Sequence, residues 1–467
     1  MLGAALLALA LTGCATTQPP DTALPALSVP AQWSPRHLVH VPDASPASLV
    51  QWWQGLGDAQ LSALVEQALQ ANPSLAAAQA ALRQARAQRD VTAAGLVPSL
   101  NGSGSAQRSH SGNATGNSFS LGLDASWELD VFGRLASGLS ASDAEVRSAQ
   151  ATLAGARVSL AAEVALAYIE LRNLQQRLQI ARSNLASQQE TLQITDWRMQ
   201  AGLTTSLATE QAKASVAQTA AQVPALQASL AQSRHALAVL TGQSPQSLDA
   251  QLAASAPVPR APAQLALQIP AETLRQRPDV VAAEARVAAA LARVSQADAA
   301  RYPGFRLGGS LGLRALTLGT LTQGSSVVGA LLSSISVPLF DGGAARAQVR
   351  VQEAGLEQAR QNYVATVLTA LQEVEDALAA LQGDALRLEQ LQVAAEAAAN
   401  AALLAQQRYA GGLVDFQTVL ETQRSQLSSQ DSLANATATL TADHVRLYKA
   451  LGGGWTAQSD MAPPAAP

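Results

Sequence analysis

Only one cysteine occurs in this chain of 467 residues, Cys14, so no disulfide can form within a chain. Aromatic residues are 3% and charged residues 14% of the total. The bulky side chains of a large globular core are therefore scarce. Much of the 48% apolar content is alanine, which suits long helices better than a compact enzyme. Net charge is −4 with no basic patch, and this excludes nucleic-acid binding through a cationic face. Beyond the first residues, no apolar run approaches the roughly 18 residues of a membrane-spanning helix. If the chain crosses a membrane, it does so with strands. Phosphate loops and nucleophile elbows are absent from the sequence. Gly308, Gly309 and Gly312 sit in a strand pattern, not at the strand-to-helix turn of a nucleotide site. Of five histidines only His37 and His40 are close, and no carboxylate or cysteine cluster joins them. Neither a metal nor a cofactor is expected.

What is present begins at the lone cysteine. Residues 2–11, LGAALLALAL, have the length of a signal-peptide core and are too short to span a bilayer. Thr12, Gly13 and Cys14 follow, and "LTGC" resembles a bacterial lipobox. A signal peptide over 1–13 and a lipid on Cys14 are expected. Residues 14–60 then form a proline-rich extended segment and an equatorial region.

The chain repeats itself. "NPSLAAAQAALR" at 72–83 matches "RPDVVAAEAR" at 277–286, and Pro98 and Pro303 close both segments. Gly/Ser-rich stretches follow, then "DVFGR" (130–134) and "PLFDGG" (338–343), then long helical patterns. "RMQAGLTT" (198–205) matches "RYAGGLVD" (408–415), and the copies end at Gly242 and Gly453. This order reads as a tandem duplication. Repeat one covers 61–242: a helix, a β-hairpin over 97–131, a long helix over 135–200 and a return helix over 204–241. Repeat two covers 272–453: a helix, a β-hairpin over 304–340, a long helix over 343–410 and a return helix over 414–451. A proline-rich linker, 243–271, separates them, and 454–467 is a tail.

Val164, Leu171, Leu178, Leu185, Leu192 and Met199 recur every seventh position, as do Val367, Val374, Leu381, Leu388, Ala395, Ala402 and Tyr409. Such a repeat implies helices that supercoil on neighbours. Leu135–Met199 spans about 98 Å at 1.5 Å per residue. In each copy the two shorter helices together match the long one and would stack end to end beside it. Heptads do not distinguish a solid rod from a hollow tunnel.

Phe119, Leu121, Leu123 and Trp127 alternate with Ser118, Ser120, Gly122, Asp124, Ser126 and Glu128. Phe305, Leu307, Leu311 and Leu313 alternate with Arg306, Gly308, Ser310 and Gly312. Strands of about ten residues with one apolar and one small polar face are the pattern of a transmembrane barrel. Residues 99–109 and 327–339 read as weaker strands. Open sheet edges are not tolerated in lipid. Four strands are too few, since single-chain barrels begin at about eight. The barrel must be shared between chains, with lipid on the Phe119–Trp127 face and water on the other.

"QWWQGLGDAQLSALVEQALQANPSLAAAQA" (51–80), "WELDVFGR", "VPLFDGG" and "RYAGGLVDFQTVLETQ" (408–423) together resemble the outer membrane factor family of TolC- and OprM-like proteins. The lipobox and the Trp52–Trp53 pair are most similar to its lipoprotein branch, the NodT or RND-efflux type. The resemblance implies a mainly α fold with a small transmembrane β part. It implies a homotrimer, with four strands per chain in a shared twelve-stranded barrel and a coiled-coil helical tunnel below. Such a protein is no enzyme. It is a passive duct for drugs and other small molecules, lipid-anchored in the outer membrane and reaching into the periplasm. Its partners would be a periplasmic adaptor and an inner-membrane RND-type pump. By the same resemblance Tyr409, Asp415 and Glu421 fall at the periplasmic gate, where three copies of Asp415 would ring the pore with negative charge. Copy one carries Thr205 at the position of Asp415. The turns Gly202–Leu203 and Gly412–Leu413 resemble the tips that adaptors contact. The competing reading is a pore-less periplasmic coiled-coil lipoprotein with a structural or adaptor role.

Overall fold

The computed structural model describes residues 24–25, 29–31, 33–34, 47–112, 114–261 and 270–455. The expected signal peptide, Cys14, His37 and His40, residues 262–269 of the linker and the tail beyond Trp455 lie outside the described residues. The elements are α1 (Ala59–Ala71), α2 (Pro73–Ala94), β1 (Ser99–Ser111), β2 (Ala114–Leu129), α3 (Arg134–Gln200) and α4 (Ser206–Leu240). After the linker come α5 (Pro270–Gln276), α6 (Pro278–Ala299), β3 (Gly304–Ala315), β4 (Val327–Ser336), α7 (Ala344–Ala410) and α8 (Phe416–Ala450). The long helices α3 and α7 are 67 residues each, and the return helices α4 and α8 are 35 each.

The described residues fall into two compact units, one built on residues 81–149 and 282–365, the other on residues 47–80, 150–261, 270–281 and 366–455. In the first, β1 to β4 form one antiparallel sheet in chain order. Beside it Arg89 pairs with Asp143 at 2.9 Å, and Val287, Ala290, Val294 and Leu356 form a small apolar core.

In the second unit the duplication is visible in contacts. Asn72 caps α2, its Oδ1 accepting from Ser74 N at 2.8 Å and Leu75 N at 3.2 Å, and its Nδ2 donates to the Leu240 carbonyl. Arg277 holds the equivalent place and donates to the Ala450 carbonyl at 2.6 Å. The C-terminus of each return helix therefore meets the N-terminus of its copy's proline-led helix. Gly242 has φ +74°, and a Cβ there would lie 2.4 Å from the Ala71 carbonyl oxygen. Its counterpart is Gly452 (φ +73°), against Gln276 and Arg277, so the copy-ending match falls one residue earlier than Gly453. Both positions exclude a side chain by backbone conformation and by space.

Arg172 is buried at 2% exposure. Its guanidinium donates to Gln175 Oε1 (2.7 Å), the Ala254 carbonyl (2.8 Å), Tyr168 Oη (2.8 Å) and Gln60 Oε1. Tyr168 Oη in turn donates to Asp58 Oδ2 at 2.8 Å, while Asp58 Oδ1 caps α1 through Gln60 N and Leu61 N. Burial pushes the Tyr168 hydroxyl up to about 12, so it stays a neutral donor. One arginine thus ties α1, α3 and the linker together.

Contrary to the sequence expectation, an 18-residue window of α3 is apolar enough to cross a membrane by composition; half of it is buried in the protein. Alanine and leucine at packing positions of a long helix produce the same composition as a lipid-facing span.

Asp443 on α8 is 2% exposed and paired with Arg446. Burial raises its carboxyl above the ordinary range, Asp384 adds to this, and Arg446 opposes it. The folded chain then holds this proton more tightly than the unfolded chain. The associated stability is present below the unfolded pKa and is lost as pH rises through the folded one. Asp443→Asn is expected to flatten the fall in melting temperature as pH rises above about 4, the ordinary carboxyl range; thermal melts of both proteins over rising pH check it.

Candidate functional site

The helix turns are built by glycine. Gly202 (φ +72°) follows α3 and Gly412 (φ +77°) follows α7. Leu203 N donates to the Arg198 carbonyl and Gly202 N to the Met199 carbonyl; Leu413 and Gly412 repeat this on Arg408 and Tyr409. This 6→1 and 5→2 pair closes each helix end and sends the chain back. Leu203 and Leu413, next in line, are 71% and 78% exposed.

The three expected gate residues take different environments. Tyr409 is buried among Ala405, Phe416, Val419 and Leu420, with Ala208 and Ala212 of α4 in the same cluster. Its ring meets Phe416 edge-on at 5.9 Å, and the Arg198 guanidinium lies 4.5 Å from the ring centre. Arg198 also donates to the Tyr409 carbonyl. Tyr409 therefore holds the end of α7 against α3. Its hydroxyl lies 3.4 Å from Thr195 Oγ1.

Asp415 and Glu421 are exposed on the opening turns of α8. Asp415 is the N-cap, its Oδ1 accepting from Thr418 Oγ1 at 2.6 Å and Thr418 N at 2.9 Å. These bonds, the hydroxyl's first, hold its carboxyl below the usual range, so it is ionised at neutral pH. Thr205 at the matching position of α4 makes no side-chain cap. Glu421 accepts from Gln417 Nε2 at 3.1 Å.

Sequence reasoning missed two features here. One is Arg198, whose signal was a basic residue in the last turn of α3, where carbonyls lack partners. The other is a polar ladder between α3 and α8. Arg177 pairs with Asp431 at 2.6 Å, Asn173 donates to Asn435 (3.0 Å), Asn184 to Gln430 (2.9 Å) and Gln423 to Thr191 (2.9 Å). The apolar heptad does not announce which polar flanking positions face a partner.

In the sheet, register decides the faces. Phe119, Leu121, Leu123 and Trp127 stand opposite Ala315, Leu313, Leu311 and Leu307, and Leu129 stands opposite Phe305. All eight residues expected on the apolar face, Phe119, Leu121, Leu123, Trp127, Phe305, Leu307, Leu311 and Leu313, thus share one face. On the other face Asp124 is opposite Ser310, Glu128 opposite Arg306 and Ser120 opposite Arg314. Hydroxyls knit that face: Ser105 with Ser120 at 2.8 Å, Ser103 with Asp124 at 3.2 Å and Ser99 with Ser126 at 3.0 Å. Strand β4 breaks the alternation, because Val328 and Leu332, opposite Gly312 and Gly308, join the polar face. At the helix-proximal end Phe132 stacks on Tyr302 (4.9 Å) and lies 6.4 Å from Phe305. Trp127 Nε1 donates to the Leu96 carbonyl. Among the described residues β1 pairs only with β2 and β4 only with β3, so both outer edges of the sheet are open there.

The family model for outer membrane efflux proteins matches residues 64–243 and again 269–453. The chain is 34% identical over 474 residues to the pyoverdine export outer membrane protein OpmQ of Pseudomonas putida, with 97% of each chain covered. Nodulation protein T of Rhizobium leguminosarum bv. viciae is 32% identical over 468 residues, covering 99% of this chain and 95% of the relative. The solved outer-membrane channel OprN superposes with a TM-score of 0.85 at 36% identity, over 93% of this chain and 99% of that one.

Proposed function

This chain belongs to the outer membrane efflux protein family, and on that premise we propose that three copies form a passive duct carrying small molecules, such as drugs and toxic compounds, out of the periplasm. The single observation that carries this reading is the sheet. Across β2 and β3 it has one face of leucine and aromatic side chains and one face of serine, glycine and charged residues, and its outer edges on β1 and β4 are unpaired. In lipid such a sheet is stable only when closed by further copies. The duct performs no bond chemistry. An inner-membrane RND-type pump supplies energy and a periplasmic adaptor bridges to it. Leu203 and Leu413, held outward by Gly202 and Gly412, are the adaptor's contact points. The eight apolar-face residues meet lipid, and Cys14 carries the lipid anchor.

Within this reading Asp415 and Glu421 give the pore its negative constriction, and Tyr409 acts behind it by fixing the helix end. A ring of ionised Asp415 side chains favours cations and slows anions. The pore-less coiled-coil alternative gives no role to a sheet that pairs an apolar face with two open edges.

Purified protein in a planar bilayer is expected to carry discrete ion currents; their absence would overturn the duct. Asp415→Ala is expected to raise basal current and weaken cation preference. An unchanged current–voltage curve would remove Asp415 from the constriction while leaving the duct intact.

A further inference from the structure

The duplication makes a contact within the chain a template for one between chains. Inside the chain, Phe132 at the exit of copy one's second strand packs on Tyr302 and Phe305 at the entry of copy two's first strand. Since Pro98 corresponds to Pro303, the copy-one counterparts of Tyr302 and Phe305 are Val97 and Leu100. The counterpart of Phe132, at the exit of β4, is Phe340. This second set is not assembled in the single chain. Leu339 and Phe340 are 92% and 93% exposed, and Val97 and Leu100 are 59% and 68% exposed. Four apolar side chains standing in solvent at the two open ends of one sheet need a cover.

The entry to the helix differs slightly between copies. Aspartate precedes phenylalanine in Asp130–Phe132 and follows it in Phe340–Asp341. Both aspartates nonetheless anchor the start of the long helix: Asp130 through Leu135 N and Ala136 N, Asp341 through Gly343 N and Ala345 N. Each phenylalanine is thereby held just ahead of its long helix.

We propose that Phe340, with Leu339, seats on Val97 and Leu100 of a neighbouring copy of this chain and seals the inter-subunit junction at the helix-proximal end of the barrel. The proposal rests on the homotrimeric reading above. Strand direction and face parity both permit it. With four alternating strands, β4 of one copy runs antiparallel to β1 of the next. On β4 the apolar-face positions are Val327, Leu331 and Ile335, opposite Leu313, Gly309 and Phe305. On β1 they are Leu100, Gly102, Gly104 and Ala106, opposite Ala125, Leu123, Leu121 and Phe119. Transferring the β2–β3 register through the repeat pairs odd-numbered β4 residues with even-numbered β1 residues. The apolar face then continues across the junction. A one-residue slip would put Leu100 on the polar side. The partner is a second copy, because its edge carries both the strand direction and the residues that the repeat requires.

Full-length chain carrying Phe340→Cys with either Val97→Cys or Leu100→Cys, with Cys14 kept because its lipid-bearing sulfur offers no free thiol, tests the contact in outer-membrane preparations. Oxidation or a short bis-maleimide is expected to give covalent dimers and trimers from the double variants and none from Phe340→Cys alone. The native mass of the untreated sample separates two failures. A trimer-sized mass with no cross-link from either pair overturns the junction and leaves the homotrimer standing; a monomer mass overturns both. As a second readout, Phe340→Ser is expected to lower the temperature at which the trimer dissociates in detergent, and Phe340→Leu to restore most of it. An unchanged temperature for Phe340→Ser overturns the seal.

Discussion

Arg172→Ala is expected to cost about 3–5 kcal/mol, among the largest single losses available in this chain. The guanidinium is buried, and its donors go to Gln60, Gln175, Tyr168 and the Ala254 carbonyl. Truncation removes the donor from all four, and at Gln175 and Tyr168 the abandoned acceptors are buried. It also opens a cavity beside Tyr168, whose ring carries the guanidinium 4.8 Å from its centre. Three segments distant in sequence would lose their common tie. Arg172→Lys should recover only part of the loss, because an ammonium is a point donor and cannot match a planar fork serving acceptors in several directions. Melting of the detergent-solubilised protein, with wild type and both variants compared, measures this. Equal midpoints for wild type and Arg172→Ala would show that the network contributes little.

Gly312→Val is expected to abolish assembly in the outer membrane, whereas Gly308→Ala should be tolerated. A Cβ on Gly312 would lie 2.6 Å from the Leu121 carbonyl oxygen and 3.0 Å from Gly122 Cα. Both are backbone atoms of β2, so no rotamer change relieves the clash. Among the described residues the β2–β3 ladder is also the one strand pairing that joins the two hairpins. Overpacking alone costs about 1–3 kcal/mol, and separating the strands in lipid would strand a row of N–H and C=O groups as well. At Gly308 the nearest atom to a built Cβ is 3.9 Å away, an ordinary contact. Surface labelling and the heat-resistant oligomer band of outer-membrane fractions would report both variants. Normal assembly of Gly312→Val would mean that the strands approach less closely there.

Local pattern alone made much of the fold readable. Proline positions, seven-residue repeats and two-residue alternation are properties of contiguous sequence, and each maps to one backbone geometry. Long proline-free heptads imply long helices, and α3 and α7 are 67 residues each. The alternation of Phe119–Trp127 and Phe305–Leu313 needed no partner to be seen. Strand β1, read from the sequence as a weaker strand, shows where local pattern is thinnest. SLNGSGSAQRSHS has almost no alternation, yet it pairs along its full 13 residues because β2 offers it a complete ladder.

What sequence by itself determined, then, is the duplicated plan: helix lengths, glycine turns at Gly202 and Gly412, and strands with one apolar face. Tertiary structure alone decided that the two hairpins join through β2 and β3, that Tyr409 is buried beneath Arg198 while Asp415 stays exposed as a cap, and that Arg177, Asn173 and Asn184 face α8. The physical reason is range. Periodicity is encoded between neighbours a few residues apart, but burial, ion pairing and register depend on residues some 200 positions away, and no local pattern carries that distance.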